Sequence, residues 1–324
     1  MLYSQGRFLI FCLIPIWLIL SQDKARQAHM IIARLRGGLG NQLFQFAAAY
    51  SLARNKGVEL KSDLYTYTKH PFRKYELHHF NIPLKEASRE EVHRFTGDNF
   101  LQRYLNKKSN YLYCPDVFAQ PHYHFYEDFF SLPAPLYLSG YWQSEKYFMN
   151  VADALRTMII PSAPMDRKNN DLISTLRSCE SVAVHIRRTD YNPGSFFQPM
   201  SLDYYRRALK MLDERVGNPR YFIFSDDIAW SRQQLSDLKN ATFVDHNKGD
   251  ESFKDLLLMS ACRHQVIANS TFSWWAAWLN DFKEKTVIAP QTWFHNTWVT
   301  KKEPVYPSRF YNTKDLLPSS WIRA

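Results

Sequence analysis

The 324-residue sequence is poor in cysteine, and its four cysteines are scattered: Cys12, Cys114, Cys179 and Cys262 form no CxxC pair and no closely spaced Cys/His ligand set. That pattern argues against a zinc frame and makes a reducing compartment the default. The histidine clusters, His78-His79 and the pair His122 and His124, have no regular ligand spacing, so no metal centre is expected. Also missing is an unbroken apolar run of the roughly 20 residues that a membrane helix needs. Residues 8–20 are apolar, interrupted only by Pro15 and preceded by Arg7, and the polar stretch 21–24 supplies no clear small-residue cleavage site. Two readings stay open for residues 1–29: an extension that the folded domain does not need, or an apolar anchor. The expected location is cytoplasmic, or membrane-associated on the cytoplasmic side, either peripherally or by a single-pass anchor through residues 8–20.

Acidic residues are in deficit as well. The 31 Asp plus Glu face 41 Lys plus Arg, a formal net charge of +10. Such a balance favours anionic partners (nucleotides, nucleic acid or acidic membranes) without choosing among them. A hydrophobic fraction of 45% and an aromatic fraction of 16% exclude disorder, and the length fits one large or two medium domains. A nucleic-acid binder fits poorly, because the aromatic residues fall in helix and strand patterns instead of alternating with basic residues on one surface.

From Met30 the run Ile31-Ile32-Ala33-Arg34-Leu35 reads as a buried strand. Gly37-Gly38-Leu39-Gly40 follows, and then Leu43, Phe46, Ala47 and Tyr50 recur at helical spacing, the opening of an α/β domain. Residues 66–141 are rich in aromatic residues, histidine and proline, and their poor periodicity predicts no topology. Residues 136–142 read as a strand ending in a turn, and the polar stretch 161–170, with Pro161 and Pro164, as a linker. The second half predicts strands at 181–186, 220–225, 241–245, 264–269 and 285–289, with helices at 202–215, 229–239, 250–262 and 272–280. This is the alternation of a doubly wound parallel sheet. Ligands bind such sheets beyond the carboxyl ends of the strands. That rule nominates Arg187, Arg188 and Asp190, then Asp226 and Asp227, then His246, then Ser270 and Thr271.

Strand alternation puts His185 and Arg187 on one face and Arg188 on the other. The planar fork of an arginine suits a diphosphate, so Arg187 is the expected pyrophosphate grip, His185 its neighbour against base or phosphate, and Arg188 a brace for the loop through Asp190. A simple ion pair to Asp190 is the competing structural reading. Asp226 and Asp227 suit either metal-nucleotide binding or guanine recognition through paired N–H donors, and either one suits a helix N-cap. Ser270 and Thr271 stand where a helix N-terminus binds phosphate. Phe272 is the aromatic expected to face the cleft, with Trp274, Trp275 and Trp278 in the core. The glycine turn reads as a tight strand-to-helix connection capped by Asn41. Facing a cleft, it would offer Asn41 or Gln42 to a sugar or diphosphate.

Four segments stand in order: 40–47 (Gly-Asn-Gln-Leu-Phe-Gln-Phe-Ala), 185–191 (His-Ile-Arg-Arg-Thr-Asp-Tyr), 224–227 (Phe-Ser-Asp-Asp) with Trp230, and 269–275 (Asn-Ser-Thr-Phe-Ser-Trp-Trp). Together they resemble the bacterial-type alpha-1,2-fucosyltransferases of glycosyltransferase family 11, from Met30 to about Trp293. The resemblance implies a GT-B-like α/β fold, two Rossmann-like domains facing a central cleft, with residues 30–160 on the acceptor side and 161–324 binding the GDP-sugar. It implies GDP-fucose as donor, no cofactor and no metal, and inverting transfer of L-fucose to the 2-hydroxyl of a galactoside-terminated glycan. It also implies Arg187 on the pyrophosphate, His185 near guanine, Asp226 or Asp227 reading guanine, and Ser270, Thr271 and Phe272 at the phosphates. Asp190 is the candidate general base, beside a base-free dissociative route. A noncatalytic GDP-sugar or glycan-binding module that kept the pocket is the alternative.

Overall fold

The computed structural model describes residues 29–69, 73–97, 116–189, 198–294 and 312–324. The apolar stretch 8–20 and Asp190 lie outside them. Two parallel sheets organise the chain. The first is built from β1 (Met30–Arg34), β2 (Glu59–Asp63), β3 (Val117–Ala119) and β4 (Leu136–Ser139) in the order β2-β1-β4-β3. The second comprises β5 (Ser181–Ile186), β6 (Arg220–Ser225), β7 (Ala241–Val244), β8 (His264–Val266), β9 (Val287–Ala289) and β10 (Ile322–Arg323) in the order β10-β9-β8-β5-β6-β7. Every strand pair in both sheets is parallel.

Nine α-helices are assigned among the described residues. They are α1 (Leu39–Lys56), α2 (Tyr65–Lys69), α3 (Arg89–Thr96), α4 (Ala152–Met158), α5 (Arg167–Arg177), α6 (Leu202–Asp213), α7 (Ile228–Gln234), α8 (Phe253–Ala261) and α9 (Thr271–Leu279). Parallel sheets are covered by helices on both faces and need strands apolar throughout. Strand β5 is buried from Ser181 to Ile186, with Val182, Ala183, Val184 and Ile186 apolar, and the expected βαβ alternation of the second half is the observed one. The expected linker 161–170 is a linker only in its first part. Asp166 caps α5 by accepting the Asn169 N–H at 3.0 Å, so the helix begins at Arg167. The glycine turn is likewise shifted: Gly38 is the N-cap of α1, and Asn41 lies inside the first turn.

Each sheet reverses its winding once. In the second sheet the chain leaves β5 outward through β6 and β7, then returns to the other side of β5 as β8. In the first, β1 lies between β2 and β4. The crevice beyond the strands at such a reversal is where open α/β sheets bind ligands, and here the two reversals share one cleft. An aromatic core joins the halves. Phe44 of α1 lies 4.5 Å and 5.1 Å, ring centroid to centroid, from Trp274 and Trp275 of α9. Burial of rings this size, in tilted geometry, makes α1 against α9 the mechanical joint of the molecule. The three tryptophans of α9 are core residues, as expected, and Trp274 Nε1–H donates to Leu316 O at 2.8 Å. Among the described residues no helix is long and apolar enough to cross a membrane, and Cys179 and Cys262 are free thiols.

Candidate active site

The cleft between the two sheet reversals holds a cavity of about 780 Å³. Its C-terminal wall is made of strand ends. His185 and Arg187 follow β5, Ser225 and Asp226 follow β6, Asp245 and Asn247 follow β7, and Asn269 to Phe272 follow β8. Its N-terminal wall is made of Gly38 to Asn41 after β1, Gln143 after β4, and Arg73 and Glu76 from the irregular segment between. The two walls touch backbone to backbone: a Cβ added at Gly40 would lie 2.4 Å from the carbonyl carbon of Thr271. Only glycine permits that approach.

On the C-terminal wall the alternation of β5 continues past its end. His185 and Arg187 both line the cavity, whereas Arg188 turns away and stacks 3.8 Å from the Trp230 ring centroid, its Nε 3.5 Å from Asp227 Oδ2. The brace of Arg188 is thus Asp227 and Trp230; its expected partner Asp190 lies outside the described residues. Asp227 also caps α7, accepting the Trp230 N–H at 3.1 Å, and does not line the cavity.

Asp226 lines the cavity, yet its carboxylate is committed. Oδ1 accepts the Arg188 N–H at 2.8 Å, and Oδ2 accepts the Thr189 N–H and hydroxyl at 3.1 Å and 2.8 Å. Arg187 Nε lies 3.5 Å from the same Oδ2. Asp226 therefore holds the 187–189 loop and steadies Arg187, which leaves it poorly placed to accept two further N–H donors from a base. Asp227 is thus the helix N-cap that the sequence offered, and the carboxylate of Asp226 is spent on the loop.

A different carboxylate is better placed. Asp255, in the first turn of α8, lines the cavity and accepts the Asn247 Nδ2–H at 2.7 Å through Oδ1. Burial pushes its pKa up to about 7, and the Asn247 bond offsets part of that rise. Asn247 is oriented by the fully buried Asn169, whose Oδ1 accepts the second Asn247 amide contact at 2.9 Å. His246, nominated from the strand end, lies with Nε2 3.0 Å from the same Asn169 Oδ1 and outside the cavity lining, a part of this orienting network. Sequence reasoning missed Asp255 because it does not follow a strand. Its signal is a lone acid among Phe253, Leu256, Leu257 and Leu258.

Ser270 is the N-cap of α9 but its side chain makes no capping bond, and Ser270, Thr271 and Phe272 all line the cavity. Hydroxyls and N–H groups at a helix start are suited to an anion. Phe272 packs 5.8 Å from the His185 ring.

On the N-terminal wall Asn41 faces the cavity and is fixed by Gln143, whose Nε2–H donates to Asn41 Oδ1 at 2.8 Å. Gln143 is aimed by Trp142, which takes φ 54°. That conformation is strained for a bulky residue, and the packed rings of Phe129 and Tyr147 hold it. Gln42, expected at the ligand, is a correction. It is fully buried, outside the cavity lining, and spent on structure: Nε2 donates to Gly37 O at 3.0 Å and Lys74 O at 2.8 Å, and Oε1 accepts the Glu76 N–H at 2.9 Å. A helix-facing amide that ties three backbone groups is a hub and not a ligand. Among the described residues no group of three or more His, Cys, Asp or Glu side chains is arranged to hold a metal ion.

Two parallel α/β sheets whose reversals share one polar cleft, with a helix start on one wall, form the GT-B-like arrangement of a glycosyltransferase. The chain belongs to glycosyltransferase family 11, whose family model, "Glycosyl transferase family 11", matches residues 5–311. Among its relatives is an alpha-1,2-colitosyltransferase of Escherichia coli, 32% identical over 91% of this chain and 98% of that one. The O-antigen biosynthesis glycosyltransferase WbnK of Escherichia coli is 32% identical over 80% of this chain and 93% of that one. The galactoside 2-alpha-L-fucosyltransferase SEC1 of Bos taurus is 24% identical over 75% of this chain and 62% of that one. Among solved structures, the fucosyltransferase NodZ from Bradyrhizobium is similar at 14% identity and a TM-score of 0.48, over 77% of this chain and 92% of that one.

Proposed function

We propose that this glycosyltransferase moves L-fucose from GDP-fucose, with inversion, to the 2-hydroxyl of a terminal galactoside, residues 161–324 holding the donor and 30–160 the acceptor. The observation that carries the reading is the C-terminal wall, where a guanidinium, a helix start and a buried carboxylate line one cavity. Asp255 accepts the two N–H donors on one edge of guanine, as acidic side chains do when they read base amino groups. His185 and Phe272 flank the nucleotide. Arg187, steadied by Asp226, lies against the diphosphate with the N-terminus of α9 and the Ser270 and Thr271 hydroxyls.

As the bond from the sugar to the β-phosphate lengthens, negative charge gathers on the leaving diphosphate. A fixed guanidinium and oriented N–H groups stabilise that charge without reorganising, which is where such sites gain most of their rate. The wall carries this electrostatic work with its own groups, so the reaction is expected to proceed in EDTA. The relatives named for colitose and for fucose transfer support a deoxy-sugar donor. The test is release of GDP from GDP-fucose, against GDP-colitose, over a panel of galactoside acceptors in EDTA, with linkage analysis of the product. Strict dependence on a divalent cation, GDP binding without transfer to any acceptor, or a linkage to another hydroxyl would each overturn the reading.

A further inference from the structure

We propose that Glu76 is the general base that takes the proton of the attacking acceptor hydroxyl, an assignment that rests on the transferase reading above. Glu76 lines the cavity from the N-terminal wall, the side away from the strand ends that hold the donor. Its position is over-determined. Its backbone N–H donates to the buried Gln42 amide at 2.9 Å, and its Oε2 accepts the Leu39 N–H at 3.1 Å at the start of α1. One carboxylate oxygen is thus pinned to the glycine turn. The other, Oε1, accepts no hydrogen bond from the described residues and remains for a substrate hydroxyl.

The other carboxylates that line the cavity among the described residues are engaged. Asp226 is saturated by the 187–189 loop, and Asp245 pairs with Arg232 at 2.9 Å. Asp255 stands at the base-reading end. The surroundings of Glu76 also suit a base. Burial raises its pKa above the ordinary carboxylate value, Asp250 adds to the rise, and the Leu39 N–H, Arg73 and Arg187 pull it back. Tyr67, itself held protonated by burial, also faces it. A carboxylate more basic than one in water, yet kept ionisable by a helix start and two arginines, is the tuning a general base needs.

In the step itself the acceptor oxygen forms a bond to the anomeric carbon of the sugar, and the bond from that carbon to the β-phosphate oxygen breaks. The electron pair leaves with GDP, and the hydroxyl proton ends on Glu76 Oε1.

Glu76→Gln keeps an acceptor for the Leu39 N–H and removes the base. The full-length variant is compared with the unsubstituted protein for GDP binding by calorimetry, for kcat against pH with a galactoside acceptor, and for transfer to azide, an anionic nucleophile that carries no proton to remove. The expected result is GDP affinity within about threefold, kcat on the galactoside lower by about 100-fold or more with its acid limb gone, and azide transfer retained. The assignment is overturned if kcat on the galactoside stays within threefold, or if GDP binding and azide transfer fall along with it, the pattern of a structural residue. Absence of any transfer by the unsubstituted protein overturns both this assignment and the reading beneath it.

Discussion

The two walls of the cleft are built by different means. The C-terminal wall is assembled from consecutive ends of a six-stranded parallel sheet, so each reactive side chain stands on a rigid element and is checked by the next strand, as Asp226 of β6 checks the loop after β5. The N-terminal wall has few strand ends to use. It hangs on a glycine turn, a strained Trp142 and one buried amide, Gln42, that ties the turn to the segment carrying Glu76. A rigid wall suits a donor of constant chemistry. A wall of loops suits a partner of more variable shape, the part proposed for the acceptor.

That division of labour puts the largest expected loss on the rigid wall. Arg187→Ala is expected to lower kcat/KM on the order of 1000-fold, and Arg187→Lys to recover only part of it, because a point charge cannot reproduce the guanidinium fork. Equal losses from Arg188→Ala would erase the distinction between the two arginines. Next comes Asp255→Asn, which replaces an acceptor with an amide donor and should weaken GDP binding about 10- to 100-fold by calorimetry.

The same residue sets a pH dependence. In the free protein Asp255 titrates near 7, and only its ionised form pairs with two N–H donors, so GDP affinity should climb up to about tenfold per unit toward pH 7 and then level off. The sign for stability is the opposite. A carboxyl whose folded pKa is raised contributes fully below its unfolded pKa and loses that contribution as pH rises through about 7. Asp255→Asn should therefore stabilise the GDP-free protein more at about pH 8 than at about pH 5 in thermal melts.

Gly40→Ala tests the contact between the walls. With Thr271 backbone 2.4 Å from the added methyl, something must shift, at a cost of about 1–3 kcal/mol in urea unfolding, with acceptor KM rising more than donor KM. The smallest effect belongs to Arg188→Ala, which removes a stack on Trp230 and a pair with Asp227, and should lower donor affinity about tenfold or less.

The same contrast governs what was legible in the sequence. Strand β5 and its neighbours announce themselves by apolar runs ending in polar residues, and alternation alone separates Arg187 from Arg188. Periodicity has little to say about residues 66–141, where short helical turns and aromatic packing separate the few regular elements, and Glu76 is lost there among histidines and tyrosines. Asp255 escaped for another reason: it enters the cavity from a helix turn, where the strand-end rule does not look. Asp226 and Gln42 misled because residue type and position are right for ligand contact. Only the hydrogen-bond partners reveal that both are already spent.

The most direct test of donor recognition by the rigid wall is a calorimetric comparison of GDP with inosine diphosphate, which lacks the exocyclic amine of guanine, in the unsubstituted protein and in Asp255→Asn. The expected result is a preference for GDP of about tenfold or more in the former, collapsing in the variant with little further loss of inosine diphosphate. A preference that survives Asp255→Asn intact would contradict the assignment and place guanine recognition elsewhere in the cleft.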